Sequence, residues 1–192
     1  NRHLLQEYSN IEFRFGAAKV AMLDEADQLV LSPGVDLSDP ICRDIDLSSK
    51  ELTNDIAILS EVATAPKVLI TGSNAKSTVT TLVGKMAESA GLRVAVGGNL
   101  GEPALDLLIE KDSDIYILEL SSFQLHRTKR LPAKVAILLN ITPDHLDWHT
   151  NESEYRQAKY RIYREAEFAV VNRADSKACL LYTSDAADDP TC

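Results

Sequence analysis

The segment Thr71-Gly72-Ser73-Asn74-Ala75-Lys76-Ser77-Thr78 follows the apolar run PKVLIT and precedes Val79, Leu82, Val83, Met86 and Ala90 at helical spacing. A strand-to-helix turn of this kind aims backbone N–H groups and a helix N-terminus at one point, where phosphates can be held. The cradle would run from Gly72 to Thr78, with Lys76 offsetting the charge of the outer phosphates and the Ser77 hydroxyl ligating magnesium. Where a generic Walker loop has glycine, this chain has Ile70 and Ala75. Taken alone, a Lys-Ser-Thr helix start is an ordinary surface cap.

Three further clusters have residue types suited to the same chemistry. Gly97-Gly98-Asn99-Leu100-Gly101 combines glycines, which let a ligand approach backbone, with the two-way hydrogen-bonding group of Asn99. Glu119 interrupts the apolar run IYIL, where a carboxylate is costly unless it meets a cation or a buried salt-bridge partner. In Asp144-His145-Leu146-Asp147, His145 is a candidate metal ligand and the aspartates candidate orienting groups, although a lone loop histidine is commonly structural. Lys159 stands apart. At 100° per residue it falls about 40° from Tyr155, inside a stripe with Ala158, Ile162 and Ala166, so it either snorkels to water or faces a site.

These residues need elements to position them. Apolar strands are expected at 66–71, 93–96, 114–120, 134–140 and 167–172, with helices after Lys76, at 102–110 with Pro103 in its first turn, and at 151–166 behind an Asn151/Glu154 capping pair. Gly91 closes the helix that follows Lys76. Alternating strands and helices imply a parallel sheet covered on both faces, with ligands beyond the carboxyl ends of its strands, where all four clusters lie. The first 65 residues are less regular: strands are expected at 11–15 and 28–31, a helix at 17–27 and a turn at Ser32-Pro33-Gly34, followed by a domain boundary near residue 65.

The length of 192 residues, 45% hydrophobic and 26% charged, excludes a fibrous or largely disordered chain. A net charge of -9 argues against nonspecific attraction to nucleic acid or anionic lipid, and no apolar run approaches the roughly 18 residues of a membrane helix. Cys42, Cys179 and Cys192 are dispersed, which suits a reducing compartment. The start at Asn1-Arg2-His3 has no signal-peptide pattern and reads as the interior of a longer protein. LLYTSDAADDPTC, residues 180–192, lacks periodicity and caps and resembles a translated sequencing-adapter tail. The body without Asp185, Asp188 and Asp189 remains acidic.

TGSNAKSTVTTLVGKMAESAG, GGNLGEPALDLL, YILELSSFQL, LNITPDHLDWH and YRQAKYRIY, in this order over about residues 25–175, resemble the Mur ligases of bacterial peptidoglycan synthesis. ELSSFQL and GGNLG resemble the branch that adds D-glutamate. The resemblance implies an α/β fold in which a parallel-sheet, P-loop-type central domain, residues 66–179, follows part of a small Rossmann-like, UDP-substrate-binding domain, residues 1–65. It implies a cytoplasmic ligase that uses ATP and Mg2+ to join UDP-N-acetylmuramoyl-L-alanine to D-glutamate through an acyl phosphate, with neither nucleic acid nor membrane insertion involved. Carried over by motif, Gly72, Ser73, Asn74, Ala75, Lys76, Ser77 and Thr78 bind ATP, and Lys76, His145 and Lys159 are catalytic. Ser77 and Glu119 hold one magnesium, His145 and Lys159 as a carbamate hold a second, and Asn99, Ser121, Gln124 and His145 contact the muramoyl-alanine substrate. The resemblance also implies a truncated ligase, inactive alone. A folylpolyglutamate synthase-like or other Mur-type ligase is the alternative within the family. A GTP-binding switch would need an Asn-Lys-x-Asp motif, which is missing, and a noncatalytic nucleotide-binding module is the alternative of another class.

Overall fold

The computed structural model describes residues 10–11, 23, 25–35, 47–109 and 112–179. Its larger sheet has β3 (Lys67–Thr71) at the centre, β5 (Ile115–Glu119) and β4 (Val94–Gly98) on one side, and β6 (Ala133–Leu138) and β7 (Ala166–Val171) on the other. All neighbours run parallel. Every residue of β3 is buried, because alternate side chains enter two different cores. Val68 and Ile70, with Ile117, pack against Val79, Val83 and Ala87 of α2 (Lys76–Ser89). Leu69, with Ala95, Tyr116, Leu118 and Ala136, packs on the opposite face against Ile56 and Leu59 of α1 (Asp55–Val62) and Leu125 of α3 (Ser122–Arg127). Gly84 brings α2 close to the sheet, since a Cβ there would lie 2.8 Å from Val96.

Neither α1 nor α3 is visible in the periodicity of the sequence. Asn54 caps α1: its Oδ1 accepts from Ala57 N at 2.8 Å, and its Nδ2 donates to Thr128 Oγ1 at 3.0 Å. Ile56 and Leu59 are fully buried, which commits α1 to the larger compact unit, residues 31–34 and 53–192. That unit therefore takes in Thr53, ahead of the boundary expected near residue 65. The smaller unit comprises residues 1–30 and 35–52. Strand β1 (Gln28–Val30) pairs with β2 (Glu51–Thr53) in a separate two-stranded sheet.

Two expected helices are shorter in the structure. Over 102–109 there is a single 3-10 turn, Asp106–Leu108, because Glu102 bridges Gly97 and its carbonyl accepts from Gly98 N at 3.0 Å, which holds the start of the segment extended. Helix α4 (Glu152–Tyr160) passes into a 3-10 turn at Arg161–Tyr163, and Ala166, expected on the same helical stripe, is the first residue of β7. Asn151 Oδ1 accepts from Glu154 N at 2.9 Å, as the cap predicts, but the Glu154 carboxylate reaches Thr150 N rather than the N–H of the cap itself. All but the first residue of the expected strand at 11–15, most of the helix at 17–27 and the 180–192 tail lie outside the described residues.

Candidate functional site

Helix α2, which follows β3, lies on one face of the sheet, while α3, which follows neighbouring β5, lies on the other. Strands β3 and β5 thus diverge in their connections and leave a crevice beyond their carboxyl ends. The turn between β3 and α2 sits at this crevice. Gly72 is pressed against the next strand's exit: a Cβ would stand 3.1 Å from Leu139 Cβ and 3.5 Å from Asn140 N. Ala75 adopts φ 63° and ψ 7°, the left-handed region where a Cβ is unfavourable. A glycine is favoured there for conformation rather than size, so Ala75→Gly is expected to stabilise the fold by about 0.5–1 kcal/mol. A urea midpoint unchanged or lowered in that variant would count against the left-handed geometry. Lys76 Nζ donates to Ser73 O at 3.1 Å, while Ser77 and Thr78 are exposed in the first turn of α2.

The turn is clamped by residues that the motif does not include. Asn74 N donates to Asn140 Oδ1 at 2.8 Å, Asn140 Nδ2 donates back to Asn74 O at 3.1 Å, and Ser73 N donates to Asn140 O at 3.0 Å. Ser73 Oγ accepts from Thr142 N at 2.9 Å and lies 2.8 Å from the Tyr155 hydroxyl. Asn140, Thr142 and Tyr155 were missed as site residues because their role depends on strand order: β6 lies beside β3 in the sheet but far from it in sequence. The Ser73 side chain is thus a brace of this turn.

Glu119 ends β5 opposite Ile70, one residue before the turn begins to leave the sheet. It is 2% exposed, its Oε1 accepts from Asn99 Nδ2 at 2.8 Å, and its Oε2 is buried with no hydrogen-bond partner. Gly98 permits this approach: its φ is 101°, and a Cβ would stand 2.5 Å from Glu119 O. Among the described residues no salt bridge reaches Glu119, which leaves the cation alternative in place. A buried carboxylate oxygen with no partner is a hard oxygen donor of the type Mg2+ takes, and the exposed Ser77 hydroxyl in the first turn of α2 is another.

Lys159 does not snorkel. It is 2% exposed, with Nζ donating to Gly72 O at 2.8 Å and lying 4.8 Å from the Tyr155 ring centroid. Burial, reinforced by the Lys76 charge, brings its pKa down to about 7. As an ammonium it would repel a metal, whereas a carbamate at the same place would add oxygen donors. His145 has φ 52°, an uncommon conformation that histidine tolerates better than most residues. Its backbone N–H donates to Asp144 Oδ1 at 2.9 Å and its Nε2 lies 3.5 Å from Asp144 Oδ2, so of the two loop aspartates Asp144 is the one seen orienting it.

Ser121 and Gln124 also have a structural task. Ser121 Oγ accepts from Gln124 N at 3.2 Å and Gln124 Oε1 accepts from Ser121 N at 3.0 Å, a complete S-x-x-Q capping box at the start of α3. Asn99, Glu119, Lys76, Lys159 and the β3–α2 turn come together at the strand ends.

Two solved structures share this architecture. A UDP-N-acetylmuramoyl-L-alanyl-D-glutamate:2,6-diaminopimelate ligase superposes with a TM-score of 0.53 at 21% identity, over 69% of this chain and 37% of the other. A pseudomurein peptide ligase type C from Methanothermus fervidus gives 0.51 at 23% identity, over 84% and 34%. At these identities the likeness is one of fold.

In sequence, the chain is 50% identical over 173 residues to a UDP-N-acetylmuramoylalanine–D-glutamate ligase of Pseudomonas syringae pv. tomato, covering 90% of this chain and 38% of that protein. A relative of the same name from Psychrobacter cryohalolentis is 47% identical over 163 residues, covering 85% and 35%. The chain therefore spans well under half the length of these relatives. The Mur ligase middle domain model matches residues 70–187, from the end of β3 through the turn, Glu119, His145 and Lys159, and the chain belongs to the Mur ligase family.

Proposed function

We propose that this chain is part of an ATP-dependent ligase that joins D-glutamate to UDP-N-acetylmuramoyl-L-alanine in the cytoplasm. The observation that carries the reading is that buried Lys159 Nζ donates to Gly72 O just past β3 while Glu119, with an orphaned oxygen, ends the neighbouring strand β5. The names of the sequence relatives support the choice of substrates.

In this reading the L-alanine carboxylate attacks the γ-phosphorus of ATP and ADP leaves. The amine of D-glutamate then attacks the acyl phosphate carbon, loses a proton and expels phosphate. Residues 72–78 hold the phosphates, and the Lys76 ammonium offsets charge on the phosphoryl oxygens in flight. Ser77 and Glu119 would hold one Mg2+, and His145 with carbamylated Lys159 a second; when bound, the ions supply the positive charge that lets two anions meet. Asn99 fixes the Glu119 carboxylate through the 2.8 Å hydrogen bond. Asn99, Ser121, Gln124 and His145 are assigned to the muramoyl-alanine end, where the capping box holds Ser121 and Gln124 in one orientation before substrate arrives.

The test is a chimera in which the segment of the Pseudomonas syringae relative matched by this chain is replaced with this chain's own. With ATP, UDP-N-acetylmuramoyl-L-alanine and D-glutamate it is expected to form amide, whereas the chain alone, spanning 38% of that relative, is expected to form none. A folded chimera that binds ATP yet makes no amide would reduce the chain to a noncatalytic nucleotide-binding module.

A further inference from the structure

Outside the magnesium ligands assigned above, one ring nitrogen each of His126 and His149 and a carboxylate oxygen of Glu154 lie within 4.8 Å of one another. His126 comes from the last turn of α3, Glu154 from the first turn of α4, and His149 from the segment before α4. Only the packing of these elements brings the three together.

Two of the three donors are held in place by an outer hydrogen bond. His149 is 1% exposed, and its Nε2 lies 3.0 Å from the buried Ser122 Oγ. Its other ring nitrogen, Nδ1, is buried with no hydrogen-bond partner, an unfavourable state if nothing occupies it. Glu154 Oε2 accepts from Thr150 N at 2.8 Å, leaving Oε1, which lies 3.9 Å from His126 Nδ1. One bond that orients a side chain and one donor atom left free is the arrangement that outer-shell partners give to metal ligands. Aromatic rings wall the cluster: His149 lies 4.6 Å from Trp148, 5.3 Å from Tyr155 and 5.7 Å from Phe123, centroid to centroid.

We propose that His126, His149 and Glu154 form a binding site for a transition-metal ion of the Zn2+ class. Two imidazoles and one carboxylate match the ligand preferences of Zn2+, whereas a magnesium site is built from oxygens. Burial disfavours the protonated form of both imidazoles. His149 would coordinate through Nδ1, with Nε2–H donated to Ser122. Tetrahedral ligation at about 2.0–2.1 Å requires donor spacings near 3.3 Å. The His126 and Glu154 side chains, 33% and 34% exposed, are free to close that gap. A bound ion would tie α3 to α4 and anchor the loop that carries His145.

Co2+ titration of the chain, without nucleotide, reads the site directly. The expected result is one Co2+ per chain with the visible ligand-field bands of a four-coordinate nitrogen and oxygen site, no thiolate charge-transfer band, and displacement by Zn2+. His126→Asn and Glu154→Gln are each expected to weaken binding by at least about tenfold, with far-UV circular dichroism showing the fold intact. Because both positions are partly exposed, these variants keep the test open where a change at buried His149 would endanger folding. Absence of visible bands, a thiolate spectrum, or affinity unchanged in both variants overturns the proposal. None of these outcomes depends on the ligase reading.

Discussion

Lys76→Ala in the full-length chimera is expected to lower kcat by at least about 100-fold, close to 3 kcal/mol of transition-state stabilisation. Lys76 is the first residue of α2, and its Nζ sits 3.1 Å from Ser73 O, over the turn that the transferring phosphoryl group would occupy. A charge placed there acts most strongly as negative charge shifts between the attacking and leaving oxygens, so its removal should depress kcat more than it weakens ATP binding. The measurement is steady-state kcat and KM for ATP, with circular dichroism confirming the fold. A near-normal kcat would remove Lys76 from the chemistry. The same change removes the nearby positive charge that helps depress the Lys159 pKa, so that pKa should rise.

The second large effect is at Lys159. Its amine is buried against Gly72 O, and with a pKa near 7 a substantial fraction is neutral at physiological pH. In the proposed reading the Nζ lone pair would bond to the carbon of CO2 with release of one proton, giving a carbamate with two oxygens in place of an ammonium. Lys159→Ala is expected to lower kcat by at least about 100-fold, and acetate or formate, which can place two oxygens in the space left by the side chain, to restore part of it. Carbamylation needs the neutral amine, so wild-type activity should fall as pH drops through about 7, and the acetate-rescued variant should lack that acid limb. Near-normal activity in the variant, or an acid limb retained in the rescued one, would falsify the carbamate. The sign for stability follows from the same group. Between about 7 and its ordinary 10.5 the folded state holds fewer protons on Lys159 than the unfolded state, so the group's contribution to stability rises with pH through that window.

The five parallel strands were legible because buried β-branched runs between turns have few other destinations, and the observed strands fall within two residues of the expected ones. Helix α3 was not legible: it has six residues, too few for a periodic signal, and rests on its capping box and on Leu125, which is 1% exposed. Helix α1 was hidden for a related reason: at eight residues it makes barely two turns, too short for the spacing of Ile56 and Leu59 to stand out. The 102–110 helix was overcalled because local propensity, led by Pro103, is outweighed by the tie between Glu102 and Gly97.

The same division runs through the site. Local sequence determined the strand-to-helix turn at 72–78, the carboxylate at the end of an apolar strand and the placement of Lys159 on an apolar helix face, because each is written within a few residues of chain. Tertiary structure alone decided that Lys159 turns inward to Gly72 O, that Asn140 and Thr142 brace the turn, and that Glu119 keeps one oxygen without a protein partner. These outcomes depend on which strands lie side by side and on what each buried polar group meets there. Strand order is set by long-range packing and hydrogen-bond satisfaction, and no local spacing encodes it.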